Sequence, residues 1–184
     1  PTSAPTEPAT EVVTEAPTEE TTEPTTEATI EETEPPTEKH KATMGEKNAL
    51  RKAKQYLNLM AFSYDGLIEQ LEFNDYTHEE AVYGADNCGA DWNEQALKKA
   101  NEYLKLMAFS YSGLIEQLEF SGFTSDQSTY GADNCGADWN EQAQRKAKEY
   151  LKLMAFSKDG LIEQLEFSGF THEQAVYGVE ANGY

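Results

Sequence analysis

Residue types that carry out catalysis or bind metals are few in this sequence of 184 residues. It contains two cysteines, Cys88 and Cys135, and three histidines that form no Cys/His cluster at metal-ligand spacing. Asp86, Asn87 and Asp91 offer oxygen ligands but lack the spacing of an EF-hand loop. No nucleophile–base arrangement or phosphate-binding loop is recognisable. The sequence therefore predicts neither catalysis nor a cofactor nor a metal site, and it favours buried thiols over a disulfide.

The charged side chains are a stronger candidate for function, because their signs are segregated along the chain. Segments 63–89, 110–136 and 157–184 together hold sixteen Asp and Glu residues against Lys158 alone. Such a surface would repel nucleic acid and attract a basic protein. The alternative is that these residues form ordinary solvated helix faces with local ion pairs.

Nine acidic and aromatic residues in these segments are the predicted contact residues. The glutamates are expected to point outward from one helix of each repeat, and the tyrosines outward from the next helix, beside acidic residues. Outward tyrosines among carboxylates are typical of protein interfaces. Packing of the tyrosines on a neighbouring repeat is an equally open alternative. The predicted partner-binding residues are Glu69, Tyr83, Asp86, Glu116, Tyr130, Asp133, Glu163, Tyr177 and Glu180.

The elements that position these residues belong to a tandem repeat. The phrase YLxLMAFSxxGLIEQLEF occurs three times with a period of 47 residues. Such a period indicates stacked helical units, since one short unit cannot bury its own apolar face. The phrase NCGADWNEQ occurs only twice, at residues 87–95 and 134–142, as expected for the two junctions between three repeats. Cys88 with Trp92, and Cys135 with Trp139, are expected to pack these junctions.

Each repeat is predicted to contain three helices, named A, B and C. Helix A of the first repeat follows a capping box at Thr43 and Glu46, and its apolar stripe is expected to run from Ala49 to Met60. Helix B follows an N-cap serine and turns its leucines inward. Phe120, which falls off that stripe, is expected to pack against Phe123 in the next turn.

Helix C completes the repeat. A turn precedes it, in which Asp75, Gly122 and Gly169 occupy equivalent positions, and this choice of residues predicts a left-handed backbone there. A threonine then caps helix C in each copy. Gly84, inside helix C, costs helix stability and is expected to allow another helix to approach closely. Eleven of the thirteen Lys and Arg residues in 41–184 lie on helix A and none on helix C. This distribution argues against DNA binding by a helix-turn-helix formed by B and C.

The predicted fold is therefore all-α, with three tandem three-helix repeats that contain helix-turn-helix-like B–C units. Their predicted bounds are 43–89, 90–136 and 137–184. Residues 1–42 are predicted to be a disordered linker, because residues 1–40 contain all seven prolines, twelve Thr and eleven Glu. The linker would serve as a spacer or, alternatively, only as a solubilising leader. No apolar run approaches the ~18 residues of a membrane-spanning helix.

The repeated pattern AxxYLxxMAFSxxGLIEQLEFxGFTxExAxYGxxNCGADWNEQA resembles the Ltp-like family of host cell surface-exposed lipoproteins over residues 48–184. The resemblance implies helix-turn-helix-like repeats on a disordered spacer, tethered outside a Gram-positive cell by a lipidated cysteine. It also implies superinfection exclusion, in which a prophage-encoded lipoprotein prevents an incoming phage from injecting its DNA. The implied partner is a protein of the injection machinery, such as the tape-measure protein. This sequence departs from the family pattern in having three repeats and no anchor cysteine before its Thr/Pro/Glu segment.

The functional expectation is a surface-tethered, non-catalytic binding protein that engages a basic phage protein through its acidic helices. We expect a monomer at the extracellular face of the cell membrane that extends into the cell wall, with membrane contact only through a tether upstream. The alternative is a general cell-envelope adaptor or adhesion module, which would dock on anionic wall polymers or lipid headgroups through the basic faces of helix A.

Overall fold

The protein is described by a computed structural model that covers residues 40–184. The predicted disordered linker, apart from its last three residues, lies outside this range. The described part consists of nine α-helices without strands, three in each repeat. The first repeat contains α1 (Met44–Leu59), α2 (Tyr64–Glu72) and α3 (His78–Asn87); the second α4 (Trp92–Leu106), α5 (Tyr111–Phe120) and α6 (Ser125–Asn134); and the third α7 (Trp139–Leu153), α8 (Lys158–Phe167) and α9 (His172–Glu180). Helices A, B and C of the prediction are therefore present in every copy.

Each repeat has its own hydrophobic core, to which helix B supplies the large side chains. In the first repeat Leu67 and Leu71 are fully buried, and they pack with Ala53 of helix A and Ala81 of helix C. The small residues on A and C let those two helices lie close together. The second and third cores repeat this arrangement around Leu114 and Leu118, and around Leu161 and Leu165.

A glycine in the middle of helix C sets the distance to helix A. A Cβ atom placed on Gly84 would lie 3.0 Å from the carbonyl carbon of Ala49. The same approach recurs at Gly131 and is closest at Gly178. The prediction that Gly84 allows a helix to approach is confirmed, and the approaching helix is helix A of the same repeat.

The predicted caps and turns are confirmed. Thr43 forms a capping box with Glu46, and the threonines that precede helix C form capping boxes with Glu80, Gln127 and Gln174. A serine caps helix B in every repeat. The turn between B and C has a left-handed residue in each copy, with φ of 63° at Asp75, 84° at Gly122 and 85° at Gly169.

Two predictions about apolar residues are wrong. Met60 does not extend the stripe of helix A, because the chain leaves the helix there with φ of −155°, and its side chain is 51% exposed. Phe120 does not pack on Phe123; it is 89% exposed, whereas Phe123 is buried. Helix α5 continues as far as Phe120, which places this ring about 200° around the helix axis from the buried Leu118.

The predicted packing at the junctions is confirmed. Trp92 begins helix A of the second repeat, but its half-buried ring packs on the core of the first repeat, where Cys88 lies. The ring meets Tyr64 edge-on, with 5.5 Å between centroids. Trp139 makes the same contact with Tyr111 at the second joint.

A second set of contacts locks each joint from the opposite side. The short connection between helices A and B of one repeat rests on the next repeat. Ala61 N donates to Glu102 Oε1 at 3.2 Å, and Ser63 Oγ donates to the carbonyl oxygen of Ser121 at 2.6 Å. The second joint repeats this pair of bonds through Ala108 with Glu149 and Ser110 with Ser168.

The turn that receives this serine has no room for a side chain. A Cβ atom on Gly122 would lie 2.7 Å from Ser63 Oγ. The first repeat has Asp75 at the equivalent position, with no repeat before it. Glycine is therefore required at the joints for close contact as well as for its positive φ.

Replacing Trp92 by alanine should weaken the first joint. We expect the free energy of unfolding to fall by about 2 kcal/mol, less than for a fully buried tryptophan, because the ring is half-buried. Urea unfolding followed by circular dichroism measures this loss, and Trp92→Phe, which keeps an aromatic ring on Tyr64, should recover part of it. An unchanged transition midpoint would contradict the packing described for this joint.

Candidate partner-binding surface

The three glutamates predicted on helix B lie on its exposed face. Glu69, Glu116 and Glu163 are all exposed, on the opposite side of the helix from the buried leucines. Four residues further on, and therefore on the same helix face, each repeat carries a phenylalanine that is 84–89% exposed: Phe73, Phe120 and Phe167. These rings are not among the predicted partner-binding residues. The signal that could have identified them is the four-residue separation from the outward glutamates.

The predicted acidic residues at the end of helix C make contacts within their own repeat. Tyr64 Oη donates to Asp86 Oδ1 at 2.7 Å, and Tyr111 Oη donates to Asp133 Oδ1 at 2.8 Å. In the third repeat an ion pair between Lys158 and Glu180 at 2.9 Å takes the place of this bond. These acids tie the start of helix B to the end of helix C.

The bond to Asp86 should be visible in a titration of the tyrosines. Its acceptance of the phenolic hydrogen bond is the main cause that raises the pKa of Tyr64 to about 12, with burial and the carboxylate charge as further causes. Because this pKa is above the unfolded value of about 10, the stabilisation is complete below pH 10 and is lost as the pH rises towards 12. The bond of Tyr111 to Asp133 raises the pKa of Tyr111 in the same way, so ultraviolet titration should show late-titrating tyrosines, with one fewer in Tyr64→Phe. In Asp86→Asn, the pKa of Tyr64 should move down towards the ordinary value.

Two of the predicted tyrosines of helix C contact residues at or just before the start of helix A of their own repeat. Tyr130 Oη donates to Glu94 Oε1 at 3.3 Å, and Tyr83 is half-buried with its ring centroid 5.9 Å from that of His40. Neither contact involves a neighbouring repeat. Tyr177 is 49% exposed. The nine predicted residues thus fall into three groups with different surroundings: exposed glutamates on helix B, exposed acids bonded to the start of helix B, and the tyrosines of helix C.

The basic residues of helix A divide into two classes. Some belong to the joints: Lys99 Nζ lies 3.5 Å from both Glu102 Oε2 and the carbonyl oxygen of Ala61, and Arg145 donates to the carbonyl oxygen of Leu104 at 2.9 Å. Others are exposed, and three of these, one in each repeat, are Lys54, Lys105 and Lys152. A second set of exposed apolar residues lies at the end of helix A and consists of Leu59, Leu106 and Leu153, each 78–79% exposed; the last two directly follow an exposed lysine.

Two histidines pair with the glutamates that directly precede the exposed Phe73 and Phe167. His78 Nδ1 lies 2.6 Å from Glu72 Oε1 and His172 Nδ1 lies 2.7 Å from Glu166 Oε1, all on exposed side chains. Both cysteines are free; Cys88 is buried and Cys135 half-buried. Among residues 40–184, no three His, Cys, Asp or Glu side chains are grouped so that they could hold a metal ion. The helices in the same range are too short or too polar to cross a membrane.

Comparison with known proteins identifies relatives of the repeats. The family model of the host cell surface-exposed lipoproteins matches residues 45–88, 91–135 and 138–181, which is more than half of the chain. A solved structure of Ltp, a superinfection exclusion protein from the Streptococcus thermophilus temperate phage TP-J34, is similar with 33% sequence identity and a TM-score of 0.49. The similarity covers 51% of this chain and 98% of that chain. No curated protein matches the chain.

Proposed function

Because the chain belongs to the family of host cell surface-exposed lipoproteins, we propose that it is a surface-tethered, non-catalytic binding protein that excludes superinfecting phages. It blocks the injection of phage DNA by engaging a basic protein of the injection machinery, such as the tape-measure protein. Contact is made through the acidic faces of helices B and C. The protein acts at the extracellular face of the cell membrane and reaches into the cell wall.

The observation that carries this proposal, beside the family, is the segregation of charge. Helices B and C carry many carboxylates, and their one lysine, Lys158, is paired with Glu180. The long-range electric field of these carboxylates accelerates the encounter with a basic partner. The exposed glutamates of helix B then lie where a docked protein could reach them.

The test is to display the chain on cells that lack it and to challenge them with phage. Phage adsorption should be unchanged, whereas the amount of phage DNA that enters the cells should fall strongly. Quantitative amplification of intracellular phage DNA, with surface display verified by antibody labelling, measures this. Entry of DNA at the control level into cells that display the folded chain would reject the exclusion function.

The second candidate function is that of an envelope adaptor, and one observation favours it. The exposed leucines at the end of helix A lie close to exposed lysines, as Leu106 does to Lys105. A basic surface with apolar side chains suits anionic wall polymers or lipid headgroups. Binding of the chain to anionic vesicles, lost in the variant Lys54→Gln, Lys105→Gln, Lys152→Gln, would support this candidate over phage exclusion.

A further inference from the structure

The phenylalanine at the end of helix B is the most exposed large apolar side chain in each repeat. Phe73 is 84% exposed, and Phe120 and Phe167 are each 89% exposed. The turn that follows differs between copies, from Asn74-Asp75 in the first to Ser-Gly in the others, but the phenylalanine is the same in all three. These rings contribute little to any core, and a partner that covered them would remove a large apolar area from water.

Each ring shares its helix face with an exposed glutamate. Glu69 lies four residues before Phe73 and is exposed, as are its counterparts Glu116 and Glu163 in the other copies. The glutamate directly before each ring is bonded within its own repeat: Glu72 to His78, Glu119 to Ser125 and Glu166 to His172. An ammonium or guanidinium group placed over such a ring gains a cation–π contact, and a nearby carboxylate adds a charge-assisted hydrogen bond. Anionic membranes and wall polymers are repelled by the same glutamates, which leaves a protein as the occupant.

We infer that Phe73, Phe120 and Phe167 are anchors for an amphipathic helix of a partner protein that carries Lys or Arg beside apolar side chains. The inference rests on the proposed binding function and identifies its contact residues. Each ring and its glutamate lie four residues apart, about one helical turn, which is about 6 Å along the axis. A partner helix that presents an apolar and a basic side chain one turn apart matches this spacing.

The joints make the three anchors act together. Hydrogen bonds from Ser63 to Ser121 and from Ser110 to Ser168 hold consecutive repeats in a fixed orientation. A long or repeated helical partner that spans two or three of these sites binds more tightly than at any single site, since the second and third contacts then form intramolecularly.

The test uses a synthetic helical peptide of about 20 residues, long enough to form a stable amphipathic face, with leucines on one face and lysines flanking them. A second peptide with every leucine changed to glutamine keeps the charge. The chain variant Phe73→Ala, Phe120→Ala, Phe167→Ala is compared with the matched variant Leu59→Ala, Leu106→Ala, Leu153→Ala. Both variants keep the net charge of −20, so that the acidic segment 1–40 attracts the peptide equally in each. Circular dichroism and thermal melting verify that they fold, and the single variant Phe120→Ala serves if a triple variant does not.

We expect wild type to bind the leucine-lysine peptide and to bind the glutamine peptide far more weakly. The triple phenylalanine variant should bind at least about tenfold more weakly than wild type, whereas the leucine variant should stay within about twofold. Equal binding of both peptides by wild type, or unchanged binding by the phenylalanine variant, would overturn the inference. Loss of binding in the leucine variant alone would also overturn it and would place the contact on helix A.

Phage exclusion by the same variants separates this inference from the proposed function. If wild type excludes phage and the phenylalanine variant excludes it equally well, the anchors are rejected and the function stands. If wild type does not exclude phage but the peptide results hold, the function is rejected and the anchors stand.

Discussion

In the variant Gly178→Leu, the third repeat is expected to unfold while the first two repeats stay folded. A Cβ atom at this position would lie 2.7 Å from the carbonyl carbon of Ala143, a backbone atom of helix α7 that cannot move aside alone. Replacing a helical glycine gains about 1 kcal/mol in helix propensity. Overpacking typically costs about 1–3 kcal/mol and occasionally more. We expect this cost to exceed the gain in helix propensity, because the whole of α9 must move away from α7. A unit of this size has little stability to lose.

Circular dichroism should show a loss of about one third of the helical signal, as expected when repeats of a tandem array unfold separately. Glu173→Leu is the control, because it places the same residue on an exposed site of the same helix. It should leave the helical signal nearly unchanged. A fully helical Gly178→Leu variant with an unchanged melting temperature would mean that α7 and α9 are packed less closely than described.

The second large effect is expected on function. Replacing Glu69, Glu116 and Glu163 by lysine changes the charge of the helix B face by six units and should abolish phage exclusion. The fold should survive, since all three side chains are exposed on the outside of the helix. A surface with reversed charge repels a basic partner and slows its encounter. Beside the phenylalanines, the lysines would also face the basic side chains of the partner, where wild type has glutamates. Intracellular phage DNA, measured as for wild type, should return to the level of cells without the chain.

The matched control reverses charge on the other face, through Lys54→Glu, Lys105→Glu and Lys152→Glu. These lysines are exposed, one in each repeat, whereas Lys99 is avoided because it belongs to the first joint. This variant should still exclude phage. A folded triple-lysine variant on helix B that blocks DNA entry as well as wild type would remove the acidic face from the mechanism, and failure of the control would favour the envelope adaptor.

Much of the fold could be predicted from local sequence rules. Capping boxes depend on a threonine and an acid or amide three residues later, and the junction phrase is present once per joint. The positions of Phe120 and Met60 were mispredicted because each depends on where a helix ends. Phe120, like the C-cap Phe73, lies at the end of helix B on the side opposite the buried leucines, and Met60, the C-cap of helix A, leaves the helix in an extended conformation.

The candidate surface was predictable only in part. Outward glutamates follow from helical periodicity, which needs no knowledge of tertiary contacts. The bonds of Asp86 and Asp133 to tyrosines on helix B depend on how helix C packs on helix B, which sequence spacing does not give. The interlock of Ser63 with Ser121 spans 58 residues of sequence. In the sequence, the interlock is marked only by glycine at the positions equivalent to Asp75 in the later copies, and this exchange by itself predicts only a turn preference.

The exchange of Asp75 for glycine bears on whether copies of this chain can join end to end. Each joint is a contact between unlike surfaces, and contacts of this type generate open filaments unless the ends are blocked. In the third repeat Ala155 and Ser157 are exposed, whereas their counterparts Ala61 and Ser63 are buried, and Tyr184 Oη donates to the carbonyl oxygen of Phe156 between them at 2.6 Å. The receiving end is blocked by Asp75, whose Cβ occupies the place where a joint needs glycine. Because Asp75 stands where a joint needs glycine, two copies of this chain are not expected to join end to end through the contact that joins its own repeats, even where many copies crowd on one surface.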